Sequence, residues 1–310
     1  MALLVPVLAA AGALVTKKNA HAEDATADIA EQNERCAVRL SMALLGESPD
    51  EALLASSNPQ SAVDEMVATP AFAERFARFI NSELSGTPSD SPANDPVYFL
   101  AHHVLTQNKP WSDLFRGPYS LTPTDSGMEI GHDPEGVGYF RSTVWRKKFA
   151  GNDEGGAMIV AAFRIIQNTT GLELNASVDA PDQDRSADGR KAGACRGCHY
   201  DSWFALDLAA ALLPKREGTG DDIKFIPPTA GPQKLLGKTI ADDKELVETL
   251  VASEAFAFNQ CRRVFKFLYG RPENQCEAKV FDACVDTLNE TQDIKKAVAT
   301  VAKDPSFCAN

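Results

Sequence analysis

Cys195-Arg196-Gly197-Cys198-His199 sets the reading of this chain. Two cysteines three positions apart, followed at once by histidine, have the spacing of covalent c-type haem attachment. In that chemistry two thiols add across the two vinyl groups of one porphyrin, and the adjacent imidazole reaches the iron as its proximal ligand. The pattern therefore implies one covalent haem c, with Cys195 and Cys198 as its anchors and His199 on the iron. Other readings have less behind them. A zinc site needs two more ligands at similar spacing, and no second C-x-x-C or H-x3-5-H occurs. A thioredoxin-like pair follows a strand in a βαβ unit, whereas the polar stretch from Asp182 to Gly193 precedes this one. A simple disulfide is the plain alternative.

The N-terminus agrees with export. Met1 to Val15 is almost without polar groups, and Ala20-His21-Ala22 is an A-x-A cleavage site, so residues 1–22 read as a secretory signal. Lys17 and Lys18 follow the apolar run instead of preceding it, as they would if translation began further upstream. The run is too short for a transmembrane helix, and the mature chain is expected to carry none; an uncleaved anchor is the alternative. The chain has 31 Lys and Arg against 43 Asp and Glu, a net charge of −12. Cleavage removes two lysines, giving 29 − 43 = −14. So acidic a surface argues against nucleic acid and favours a redox partner with a basic surface. A periplasmic or otherwise exported location also suits haem attachment, which is completed outside the bacterial cytoplasm, and permits disulfides among the seven cysteines.

The expected fold is all-α, with helical segments around the haem and long irregular loops. Residues 23–84 form an N-terminal helical segment, 85–238 the haem-binding middle, and 239–310 a C-terminal helical segment. Residues 23–35 read as a mobile lead-in, and Cys36 to Leu45 as a helix closed by Gly46. Val63 to Ile80 has helical spacing with a break at Pro70. Val97 to Leu105 and Gly155 to Ile166 read as helices, and Asn108 to Tyr139 as a long irregular segment. Trp203 to Leu213 is apolar and helical, a candidate wall of the haem pocket. Residues 215–238 form a linker. Asp242 to Leu268 then reads as one long or kinked helix, with two more at Cys276 to Leu288 and Asp293 to Ala302. An echo joins the two ends: Arg39, Leu44, Gly46 and Pro49 precede Val63, Pro70 and Phe72, while Arg263, Leu268, Gly270 and Pro272 precede Val298, Pro305 and Phe307.

From about Val63 to Phe307 the chain resembles secreted cytochrome-c-like proteins of the planctomycete and myxobacterium type, built from domains of uncharacterised function. The resemblance rests on Trp111-Ser-Asp-Leu-Phe, Gly136-Val-Gly-Tyr-Phe, the haem motif with Phe204-Ala-Leu-Asp, Cys261-Arg-Arg-Val-Phe and Leu268-Tyr-Gly-Arg-Pro. It implies a haem and an exported location, but no particular reaction. Many relatives carry Met-Asp-Pro-Leu-Gly just after the motif histidine. Here Tyr200-Asp-Ser-Trp stands instead, so no role of that methionine transfers.

No Met or His follows His199, so a sixth ligand must come from upstream or the position is open. Met128 and His132 share a Gly-rich stretch able to fold over a haem face. Met158 begins an apolar run where core packing is the ordinary role. His102 and His103 suit surface or capping roles, and Met42 and Met66 the core. A Met/His iron suits electron transfer, the leading expectation, whereas an open site suits a haem enzyme or small-ligand sensor. An interaction subunit with a structural haem is the third possibility. After haem attachment five cysteines remain. Folding the last helices antiparallel about Gly270 to Pro272 predicts Cys261–Cys284 and Cys276–Cys308, with Cys36 free or paired elsewhere.

Overall fold

The computed structural model describes residues 12–87, 89, 94–125, 127–174, 184–193 and 195–309, with side chains from Asp28 onward except that of residue 221. Residues 1–11, most of the apolar run read as a leader, lie outside them. Local rules place many helix ends. Thr69 is extended and its hydroxyl accepts from Phe72 N, Pro70 follows at the first helical position, and a new helix starts there. Gly46 and Gly270, at φ +77° and +71°, follow two helix ends in the left-handed region.

Fourteen α-helices run along the described chain: α1 (Gly12–Leu44), α2 (Glu51–Leu54), α3 (Val63–Ala68), α4 (Pro70–Leu84), α5 (Pro96–Thr106), α6 (Asp113–Arg116), α7 (Thr143–Lys148), α8 (Ile159–Thr170), α9 (Leu206–Ala211), α10 (Asp243–Val251), α11 (Glu254–Tyr269), α12 (Ala278–Thr291), α13 (Ile294–Ala302) and α14 (Pro305–Cys308). Three antiparallel hairpins join them: β1 (Tyr119–Thr124) with β2 (Gly127–His132), β3 (Lys215–Glu217) with β4 (Lys224–Ile226), and β5 (Gln233–Leu235) with β6 (Lys238–Ile240). The chain is thus mostly helical, but its Gly- and Pro-rich connections are not all irregular. In the first hairpin Pro123 lies on a strand with a single neighbour, where its missing N–H is tolerated.

Several boundaries differ from expectation. Residues 23–35 belong to α1; they are rich in Ala, Glu and Gln, good helix formers, and Glu31 pairs with Arg35 one turn on at 3.3 Å. The helix read over Asp242 to Leu268 is two, because Ser253 adopts an extended N-cap conformation between them. The helix read over Trp203 to Leu213 shrinks to α9, since Ala205 takes φ +24°. Trp203 is 51% exposed, whereas Phe204, Leu206, Ala209, Leu212 and Leu213 are buried in the core.

One contiguous apolar core runs from Cys36 to Phe307, with Phe72, Phe76, Trp111, Phe115, Tyr139 and Phe265 among its fully buried side chains. The first and last segments pack directly on each other: α1 meets α11 and α14, and α3 meets α13. The disulfides follow from this. Cys261–Cys284 forms as expected, with Cα atoms 6.0 Å apart. The expected Cys276–Cys308 bond does not: Cys308 pairs with Cys36, Cα to Cα 4.9 Å, because α14 turns onto α1. Cys276 is exposed and free in the turn before α12. Among the described residues no helix is long and apolar enough to cross a membrane.

Candidate functional site

The motif starts a helical turn at Cys195 and widens at once into a π-helical turn over Gly197–Asp201, closed by Ser202 N donating to Gly197 O at 2.9 Å. Such turns recur at functional sites, because the wider turn re-aims the side chains it carries. It packs on α9 and on the short 3-10 turn Gly189–Lys191. Neither Cys195 nor Cys198 is in a disulfide, and both are partly exposed. Among the described residues, a Cβ added at Gly197, between them, would meet nothing within 4 Å.

Among the described residues His199 has one side-chain partner. Its Nδ1 lies 2.6 Å from Asp207 Oδ2, in the first turn of α9. Asp207 is held in turn by Arg190, whose Nη2 donates to Oδ1 at 2.8 Å and whose Nε reaches both oxygens at 3.1 Å. Tyr200 OH adds a bond to Oδ1 at 3.2 Å. Burial raises the Asp207 carboxyl, but the hydrogen bonds from His199 and Arg190 outweigh it and hold it below the ordinary value. Asp153, in the field of the same charges, goes the other way, raised by burial in spite of Arg190. An ionised Asp207 can only accept, so the proton of neutral His199 sits on Nδ1 and Nε2 keeps its lone pair.

That donor set fits a porphyrin-borne iron: two unpaired thiols three positions apart in the sequence and an imidazole oriented by a carboxylate behind it. Among the described residues no group of three or more His, Cys, Asp or Glu side chains is arranged to hold a metal by itself. The chain matches no family model, no curated protein and no solved structure. What it does must be argued from its own residues.

The upstream candidates are scattered. Met128 and His132 lie on β2, which pairs with β1 and packs on α5; His132 is exposed and Met128 half-buried. Met158 is buried at the start of α8, lining a small cavity with Phe140, Trp145 and Leu213. His102 lies 3.9 Å from Glu74, and His103 meets the Tyr119 ring edge-on, lowered by burial and by Lys109. Met66 is buried in the core, as expected, whereas Met42 is exposed. Sequence reasoning missed Asp207 and Arg190. Asp207 stands in the sequence as the last residue of the Phe204-Ala-Leu-Asp stretch after the motif, with no role read for it. Nothing in the sequence ties Arg190 to it.

Proposed function

We propose that this chain is an exported monohaem c-type cytochrome that transfers electrons. The observation that carries the reading is the His199–Asp207 hydrogen bond behind a Cys-x-x-Cys with both thiols free. When bound, the haem supplies a one-electron ferric–ferrous couple. Cys195 and Cys198 anchor it through thioethers, and His199 presents Nε2 to the iron. Asp207 fixes the imidazole, while Arg190 and Tyr200 fix Asp207. Two disulfides are compatible with an oxidising compartment. The net charge of −12 favours a basic redox partner, and the exposed Trp203 offers it an apolar contact beside the motif. Lys234 and Lys238 line the groove next to Trp203, so the acidity belongs to the whole surface more than to this face.

The test is expression with a c-type maturation system, denaturation, and haem staining of the gel. Wild type should keep its colour, and Cys195→Ala with Cys198→Ala should lose it. A colourless wild-type band sinks the reading. The hydrogen bond also favours a second reading, a haem enzyme or sensor with an open distal side, because a carboxylate behind the imidazole makes it a stronger donor to the iron. A high-spin ferric spectrum with rapid cyanide or carbon monoxide binding would select that reading. A near-infrared sulfur-to-iron band abolished by Met128→Ala would select electron transfer.

A further inference from the structure

A cavity of about 690 Å³ opens between α8 and α11, lined by none of the residues assigned to the haem. Four cations face it. Arg262, Arg263 and Lys266 come from one face of α11, and Arg164 from α8. Two are matched: Arg262 pairs with Glu273 at 3.0 Å and Lys266 with Glu83 at 2.8 Å. Among the described residues the other two donate to neutral amides alone. Arg164 reaches Gln167 Oε1 at 2.7 Å, with its guanidinium over the Phe149 ring, and Arg263 reaches Gln260 Oε1 at 3.1 Å. The third acid, Glu173, sits exposed at the rim.

Arg263 is the anomaly. It is only 9% exposed, and among the described residues no carboxylate touches it. Burial pushes it down to about 10, with the weaker pull of Tyr139 and Glu83 acting against that. Its amide partner is already committed, because Gln260 Oε1 also accepts from Trp111 Nε1 at 3.0 Å while Gln260 Nε2 is buried with no acceptor. A desolvated guanidinium is ordinarily paired with an anion, and its planar fork matches carboxylate or phosphate oxygens two at a time. Cys261–Cys284 pins α11 to α12 two residues away, which fixes the backbone that carries Arg263 before any ligand arrives.

We propose that this cavity binds a small dianionic oxyanion, a dicarboxylate or a phosphate group, between Arg263 and Arg164. The experiment is calorimetric titration of the full-length protein with succinate and, separately, with inorganic phosphate, holding ionic strength constant with sodium chloride. Saturable one-to-one binding of either is expected, and the arm that binds identifies the chemistry of the ligand. Arg263→Met and Arg164→Gln should each weaken that binding at least tenfold, while Arg35→Gln, exposed on α1, should leave it unchanged. Circular dichroism checks that Arg263→Met is folded. Should it not fold, Arg164→Gln decides the question alone, since Arg164 is only partly buried. Absence of saturable binding of both anions by wild type, or unchanged affinity in Arg164→Gln, overturns the proposal.

Discussion

At the scale of single residues, Asp207 has the widest consequences. With the proposed haem bound, its hydrogen bond to His199 would push electron density toward Nε2 and so favour ferric over ferrous iron. Asp207→Asn removes the charge but keeps the shape, and should raise the reduction potential. A tenfold change in the ferric–ferrous equilibrium corresponds to about 59 mV for one electron, which sets the scale on which the shift is read. An unchanged potential in a redox titration would show that Arg190 already neutralises the carboxylate. The same group gives a pH dependence. Its folded value lies below the ordinary one, so its stabilisation is present above about pH 4 and is lost as pH falls through the folded value. Acid unfolding of Asp207→Asn should therefore be less steep below pH 4 than that of wild type. The motif itself could be read from the sequence because the chemistry demands a fixed spacing. Asp207 could not, because its role depends on a turn that brings residue 207 back beside residue 199.

Elements show the same division between local and non-local causes. Three helix breaks share one local pattern: Val67-Ala-Thr-Pro-Ala-Phe72, Val251-Ala-Ser-Glu-Ala-Phe256 and Val301-Ala-Lys-Asp-Pro-Ser-Phe307. In each, an extended residue (Thr69, Ser253, Asp304) separates two helices and a buried Phe follows. The outer two belong to the echo read from the sequence. The middle one was missed, and with it the break between α10 and α11, because its apolar spacing alone continues smoothly across Ser253. The Gly136-Val-Gly-Tyr-Phe stretch has a non-local cause. A Cβ on Gly136 would lie 2.3 Å from Tyr119 N, and one on Gly138, at φ +49°, 2.2 Å from Leu114 O. Backbone threads past backbone here, and the passage delivers Tyr139 and Phe140 into the core. Gly138→Ala should lower stability by about 2 kcal/mol or more, through both the clash and the left-handed backbone. Urea unfolding measures this, and a midpoint equal to wild type would mean that the crossing can relax.

Across the whole molecule, the two ends of the sequence close on each other, and the closure has several supports. Phe307 is fully buried beneath the Arg39 guanidinium, whose centre lies 4.6 Å above its ring. Gln60 donates to the carbonyls of Ala302 and Asp304 at 2.8 and 3.0 Å. Lys303 pairs with Asp64. Cys36–Cys308 lies across the same seam and closes a span of 272 residues, against 23 for Cys261–Cys284. The hairpin disulfide could be reasoned from helix geometry because its two helices adjoin in sequence. The long one could not, because only the packing of α14 on α1 decides it. Loop closure alone would assign the two bonds about 5.6 and about 3.4 kcal/mol, but observed effects follow loop length weakly. Removing the long bond with Cys36→Ser and Cys308→Ser should therefore cost roughly 2–5 kcal/mol in urea unfolding, with the fold retained by Phe307 and its neighbours. Thiol counting then separates the pairings. With haem attached, native wild type should take up one iodoacetamide, at Cys276, and the double variant should show the same single label. Labelling of Cys36 in the wild type, or a variant as stable as wild type, would show that packing alone holds the seam.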